Sequence, residues 1–250
     1  MAMTAIDTLT PDAIAARLSG SPAERAAFVR EAADAGVAEA QAVYGQMLLD
    51  GTGVAADPAA ALGWFTKAAA QHHVMALNMV GRCYDLGWGT RVDKARAAQC
   101  YRIAAERGLD WAMYNYATLL ALGDGVAEDK PAALALLEKV AAMDSGLASA
   151  KALNFVGSFA EDGWACDRDL DRAADCYARA AEGGDFRGCF NHARMLGAAG
   201  EIEMALGWLQ QAGQRGNAAF LAKAGAWLAA SAIPAFRTRG VAALREGGQC

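Results

Sequence analysis

Residues 76–105 read ALNMVGRCYDLGWGTRVDKARAAQCYRIAA, and they hold the pattern that decides the fold. In the first half Ala76, Val80 and Tyr84 stand four apart, so they form one stripe along a helix. Gly81 removes the side chain from the middle of that helix, which lets a partner helix come close, and Gly87 follows where the helix must end in a left-handed residue. In the second half Cys100-Tyr101 stands one turn before the small-residue pair Ala104-Ala105. The two patterns return at intervals of about 36 residues. The first copy is Ala40-x3-Tyr44-Gly45-x2-Leu48-x2-Gly51 with Trp64-Phe65-x2-Ala68-Ala69. Later copies are Ala112-x3-Tyr116-Ala117-x2-Leu120-x2-Gly123 with Leu136-Leu137-x2-Val140-Ala141, and Ala152-x3-Val156-Gly157-x2-Ala160-x2-Gly163 with Cys176-Tyr177-x2-Ala180-Ala181. Aligned on the small mid-helix residue, the series runs Gly45, Gly81, Ala117, Gly157, Ala193 and Gly225.

These motifs resemble the Sel1-like repeat, a helix-turn-helix relative of the tetratricopeptide repeat, over roughly residues 20 to 231. The resemblance implies an all-α fold, a right-handed α/α superhelical solenoid whose core is a continuous seam between stacked units. Residues 1–36 are expected to form N-terminal capping helices. Residues 37–231 hold about five full repeats and a degenerate sixth first helix, and residues 232–250 form a C-terminal capping helix and tail. First helices are predicted at about 38–50, 74–86, 110–122, 148–162 and 186–198, and second helices at about 58–71, 92–107, 130–143, 169–183 and 201–214. Thr10-Pro11-Asp12 and Ser21-Pro22-Ala23-Glu24 read as helix starts, the latter with capping-box spacing. Asp57, Asp93, Asp129 and Asp169 share one repeat position, where helix capping explains a carboxylate without catalysis. Trp64, Tyr101, Tyr177 and Trp208 are expected to fill the wedge between units. The spacing rises to 40 between Ala117 and Gly157, where extra residues surround Asp144-Ser145-Gly146, and a local change of superhelical path is expected there. It falls to 32 between Ala193 and Gly225, where the loop shortens to Gly197-Ala198-Ala199-Gly200.

With 55% hydrophobic and 20% charged residues, the 250-residue chain has the profile of a folded protein. Its net charge of -5 and the absence of a Lys/Arg cluster argue against a nucleic-acid partner. The stretch from Met1 to Asp7 has no basic region leading into an apolar run, and no stretch is apolar enough to span a bilayer, so no membrane association and a cytoplasmic location are expected. The six cysteines, at 83, 100, 166, 176, 189 and 250, do not repeat as pairs, which points to a reducing compartment. Cys166 and Cys250 are expected to be exposed and oxidisable.

In tetratricopeptide-like units the first helices line a concave groove. The positions six and three before the mid-helix residue, and one and four after it, face that groove. Here they pick out Gln46, Asn78, Arg82, Asp85, Trp111, Tyr114, Thr118, Asn154, Ser158, Glu161, Arg187, Phe190 and Arg194. The candidate partner-binding set is Asn78, Arg82, Asp85, Trp111, Tyr114, Thr118, Asn154, Ser158, Arg187 and Arg194. Aromatic and Arg side chains serve as anchors, and Asn can bond an extended backbone through both donor and acceptor. In the sixth unit the same positions are Ala219, Ala222, Ala226 and Ala229, a face that invites another helix. The terminal segment from Ile233 to Arg245 is the expected cover, with a dimer contact as the competing reading, so the chain is expected to be a monomer or a weak homodimer.

No nucleophile, base and orienting group emerge together. Gly51-Thr52-Gly53 and Gly123-Asp124-Gly125 lack the phosphate-binding pattern and follow no strand, and Glu161 and Asp162 are adjacent at a helix end instead of facing one another. Cys189-x2-His192 with Cys176 could be imagined as zinc ligands, but a fourth is missing and all three sit at packing positions of the repeat. No enzyme activity and no cofactor are expected. The resemblance implies a bacterial, non-catalytic adaptor or scaffold that binds a partner polypeptide in the groove. Two alternatives stay open: an accessory protein of a bacterial iron-uptake or iron-dependent oxygenase system, as some relatives are, and a metal-binding regulator or enzyme using Cys176, Cys189 and His192.

Overall fold

The computed structural model describes residues 10–248; Met1 to Leu9, Gln249 and Cys250, expected to be exposed, lie outside them. The described residues form fourteen α-helices with no strand, an all-α solenoid of paired helices. They divide into two compact units after Glu128, within the loop of the third repeat.

The first unit holds α1 (Pro11–Leu18), α2 (Pro22–Asp34), α3 (Ala38–Asp50), α4 (Pro58–Ala70), α5 (Val74–Leu86), α6 (Lys94–Glu106) and α7 (Asp110–Leu122). Helix starts follow local chemistry: Thr10 accepts from the Ala13 amide, Ser21 and Glu24 form a full capping box, and Asp57 and Asp93 accept from the third amide of α4 and α6. First helices end on Gly51, Gly87 and Gly123 in the left-handed region. The next glycine of each loop does a second job. A Cβ on Gly53 would lie 2.0 Å from the Pro22 carbonyl oxygen, one on Gly89 2.2 Å from that of Pro58, and one on Gly125 2.3 Å from the Lys94 carbonyl carbon. Each loop thus rests on the first turn of the preceding repeat's second helix, and this contact sets the register of stacking.

Within a repeat the mid-helix glycine is the seat of the second helix's aromatic. A Cβ on Gly45 would meet the Phe65 ring at 2.8 Å, and one on Gly81 the Tyr101 ring at 2.7 Å. In the first repeat the ring seated on the glycine is that of Phe65, which is buried, while Trp64 stands half-buried with its edge on Tyr44 and the Lys67 ammonium 3.8 Å over its ring. Burying one such aromatic contributes about 1.5–3 kcal/mol.

The second unit holds α8 (Lys130–Ala142), α9 (Leu147–Asp162), α10 (Leu170–Glu182), α11 (Phe186–Ala198), α12 (Ile202–Arg215), α13 (Ala218–Ala229), a π-helical turn (Phe236–Gly240) and α14 (Val241–Gly247). The extra residues near 144–146 lengthen α9 to 16 residues against 13 for its counterparts. The Ser149 hydroxyl fastens that added turn by donating to the Val140 carbonyl and accepting from the Ser145 amide. Gly157 repeats the seat seen above, with its Cβ position 2.7 Å from the Tyr177 ring. The fourth loop departs from the others: Ala165 stands where three loops have glycine, and it takes a left-handed φ of 58°.

The chain's end also departs from expectation. The terminal segment does not cover the alanine face of α13, because Ala219, Ala222, Ala226 and Ala229 are all exposed. It runs along α12 instead. Two glycines make that approach possible: a Cβ on Gly213 would lie 2.1 Å from the Leu244 carbonyl oxygen, and one on Gly247 2.1 Å from that of Gln210. Phe236 is fully buried beside Gly197, and Arg239 makes a paired contact with Glu203.

Candidate functional site

In the first unit α5 and α7 are joined by a rung in which Asn115 Nδ2 donates to Asn78 Oδ1 at 3.1 Å. Asn78 is 2% exposed, so its position corrects the expectation of a backbone-binding group on the groove surface: the neighbouring helix has claimed it. Asp85 is likewise engaged. Its Oδ1 accepts from Lys94 Nζ at 2.5 Å and its Oδ2 from the Tyr101 hydroxyl at 3.1 Å, while Lys94 also reaches Asp124 at 3.1 Å. Burial, with the Asp85 charge beside it, pushes the Tyr101 hydroxyl far above its ordinary range, and the bond to Asp85 raises Lys94. Thr118 donates to the Asn115 carbonyl of its own helix at 2.7 Å.

Three predicted residues of this unit keep a different character. Arg82 is half-buried, with its guanidinium 4.8 Å over the Trp88 ring and Nη1 3.8 Å from the Met79 sulfur, and no carboxylate comes within 4 Å of it among the described residues. Trp111 and Tyr114 are half-buried one turn apart on α7, edge to face with centroids 6.4 Å apart. The Asp110 carboxylate, in the first turn of α7, accepts from the Trp111 amide at 2.6 Å. Gln46, on α3, donates to Asp50.

The second unit carries the same parts with different partners. Asn191 Nδ2 donates to Asn154 Oδ1 at 2.8 Å, the counterpart of the Asn115–Asn78 rung. The Tyr177 hydroxyl donates to Glu161 at 2.7 Å, and the Ser158 hydroxyl lies 3.3 Å from it. Arg194 grips both oxygens of Glu161, at 3.2 and 2.8 Å, and donates to Asn191 as well. Burial pushes Glu161 up, but the bonds from Arg194 and Tyr177 outweigh it and hold the carboxyl below its usual range. Arg187 is exposed and lies over Phe186, and Phe190 packs edge-on against Phe220 and Trp227. The tyrosine-to-acid bond spans 16 residues in both units, a regularity the sequence displays once the repeats are aligned but which groove positions alone do not reveal.

The imagined metal ligands are not brought together. Among the described residues no group of three or more His, Cys, Asp or Glu side chains could hold an ion. Cys189 points its thiol at the Ala181 carbonyl, and burial raises both Cys176 and Cys189. His192 lies edge-on to Trp208, with Nδ1 buried and unpartnered, and burial lowers its pKa, which favours the neutral ring. Asp185 is a buried cap: its Oδ2 accepts from the Gly188 amide while Lys151 stands 3.6 Å from Oδ1. No described helix is long and apolar enough to cross a membrane.

The family profile of the Sel1 repeat matches residues 38–73, 74–109, 112–145, 150–185 and 189–217. No curated protein sequence matches the chain. Among solved structures it is similar to c5321, a protective antigen present in uropathogenic Escherichia coli strains, with a TM-score of 0.67 and 25% identity over 94% of this chain. The match spans only 52% of c5321, about half its length. A Sel1 repeat protein from Oxalobacter formigenes gives a TM-score of 0.67 and 24% identity, covering 91% of this chain and 96% of that one. The immunity protein Pa5087 from Pseudomonas aeruginosa gives 0.56 and 15%, covering 84% and 80%, a likeness of fold alone.

Proposed function

The chain belongs to the Sel1-repeat family, commonly scaffolds for protein–protein interaction, and on that premise we propose that it is a non-catalytic adaptor whose first-helix face holds a partner polypeptide, with the main anchor in the first unit. The observation that carries this reading is Arg82. A half-buried guanidinium with no carboxylate within 4 Å, flanked by an indole, is a ready receptor for an acidic group of a partner. Trp111 and Tyr114 offer a rigid aromatic pair on α7, the type of anchor that dominates interface energetics. Asn154, Ser158 and Asp85 serve chiefly to hold neighbouring helices in place, Thr118 bonds within its own helix, and Arg187 offers a peripheral cation in the second unit.

A reducing, cytoplasmic setting suits the thiols. Cys83, Cys176 and Cys189 are buried and unpaired, and burial pushes Cys83 up to about 11. The test is the affinity for captured partner of a Trp111→Ala, Tyr114→Ala double variant whose circular dichroism is unchanged. The reading predicts a loss of at least about tenfold, as expected for two anchors; undiminished affinity would remove it.

A further inference from the structure

The first-unit face has more apolar surface than the groove positions disclose. Met75 and Leu86, seven residues before and four after Arg82, share its side of α5 and are 41% and 50% exposed. On α7, which the Asn115–Asn78 rung joins to α5, the same side carries Trp111 and Tyr114 and, eleven residues after Trp111, Leu122, which is 65% exposed. Two neighbouring helices thus turn large apolar side chains to solvent around one half-buried guanidinium, and exposed apolar groups rimmed by polar ones mark interaction sites. The apolar run stops at α3, where the equivalent side carries the carboxylates of Glu39 and Asp50.

The hydrogen-bonding groups of this face limit what can cover it. An extended segment carries an N–H and a C=O on each residue with no partner of their own, and each one covered without a partner weakens binding. An Asn amide could meet both, but Asn78 is buried in its rung with Asn115. The Thr118 hydroxyl donates to its own helix, Asp85 is held by Lys94 and Tyr101, and Gln46 donates to Asp50. A helix satisfies its backbone internally, and it needs from the surface only apolar contact and a match for its charge.

We propose, on the reading of this face as the partner-binding surface, that its occupant is an amphipathic α-helix of the partner and not an extended segment. That helix bears one carboxylate flanked, three or four residues to either side, by large apolar side chains. The carboxylate meets Arg82, which has no carboxylate within 4 Å among the described residues. The apolar side chains lie on Met75 and Leu86 of α5 and on the Trp111–Tyr114 pair and Leu122 of α7. Glu39 and Asp50 repel an acid from α3, so the helix crosses α5 and α7.

The probe is a phage-displayed library of random peptides of about 16 residues, roughly four helical turns, selected on the full-length protein. Enriched peptides are synthesised and followed by fluorescence anisotropy and circular dichroism. Those enriched on wild type and not on Arg82→Gln are expected to carry Glu or Asp with Leu, Ile, Met or Phe one turn away on both sides, and no internal proline. They should gain helical ellipticity on binding and weaken by at least about tenfold when a central residue outside the apolar stripe becomes proline. Leu122→Asp, at an exposed position that spares the core, should weaken them by about tenfold, and Leu86→Asp replaces it if that variant does not fold. Peptides that need Arg82, Trp111 and Tyr114 but tolerate the proline, or that alternate apolar and polar residues, overturn the helix and leave the binding face in place. Peptides that bind wild type and the Trp111→Ala, Tyr114→Ala variant equally, or no enrichment at all, overturn the helix together with the reading it rests on. A wild-type dimer in sedimentation velocity that Leu122→Asp dissolves would also overturn it, by giving the face to a second copy.

Discussion

Tyr101 with Asp85 in the first unit and Tyr177 with Glu161 in the second are the same device built with side chains one methylene apart. Asp85 is short, and the cation that neutralises it, Lys94, comes from the second helix of its own repeat. Glu161 is longer and is neutralised by Arg194, which comes from the first helix of the next repeat. The first arrangement closes a repeat upon itself, since Thr118 stands where the next repeat of the second unit has Arg194, and Arg82 keeps an indole and a thioether because the preceding repeat has Leu49 at the acid position. The second turns the corresponding groove cation into a tie between repeats. One motif thus closes a repeat upon itself in the first unit and ties two repeats together in the second, according to which residue the neighbouring repeat sets against the acid.

The loops sharpen the contrast most strongly. Gly89→Ala should destabilise by about 2–4 kcal/mol in chemical denaturation, because a left-handed φ of 68° is joined by a Cβ only 2.2 Å from the Pro58 carbonyl oxygen. The second unit already carries an alanine at this place, so Ala165→Gly should do the reverse and add about 0.5–1 kcal/mol by relieving its left-handed strain. A loss of stability in Ala165→Gly would mean that its methyl packs well enough to outweigh the backbone.

The ion pairs come next. Arg194→Ala leaves Glu161 partly buried without its cation and should cost about 2–3 kcal/mol, whereas Arg82→Ala should cost less than about 1 kcal/mol. Equal losses in the two variants would break the comparison. The pH dependence carries the same information with a defined sign. Since folding lowers the Glu161 pKa, its contribution is present above the unfolded carboxyl value near about 4.3 and is lost as pH falls through the lower folded value. Wild type should therefore lose stability on acidification faster than Glu161→Gln, in thermal melts compared between neutral pH and pH about 3.

The smallest effect concerns the tyrosines. Tyr101→Phe and Tyr177→Phe should each cost about 1–2 kcal/mol, the worth of a hydrogen bond to a charged acceptor, with the same magnitude in both units. A clear difference between them would show that the shared bond is itself specialised.

The repeat architecture was legible because it rests on local chemistry that recurs: a glycine that ends a helix, an aspartate that caps the next and a small residue under an aromatic ring. The helix boundaries follow from those residues with shifts of a residue or two. Groove membership was less legible, since it depends on what the neighbouring repeat offers across the helix gap. Asn78 has a groove position by register, yet Asn115 opposite draws it into a buried rung. Which of the adjacent rings Trp64 and Phe65 sits on Gly45 is likewise decided by the facing helix, and it is Phe65. The seat of the terminal helix was misread for a related reason: the exposed alanines of α13 are closest in sequence, but Gly213 and Gly247 allow a much closer backbone approach on α12. Pairwise fit of this kind is a property of two segments together and leaves no periodic mark on either.

Whether the first unit presents the partner-binding cation, the second having engaged its own, is decided by affinity capture from lysate of the source organism. Wild-type protein would be compared with an Arg82→Glu, Tyr114→Ala variant of unchanged circular dichroism and with Arg187→Glu in the second unit, and bound proteins identified by mass spectrometry. A partner recovered by wild type and by Arg187→Glu but lost from the first-unit variant is the expected result. Equal recovery on all three would contradict it and move the binding surface away from the first-helix face.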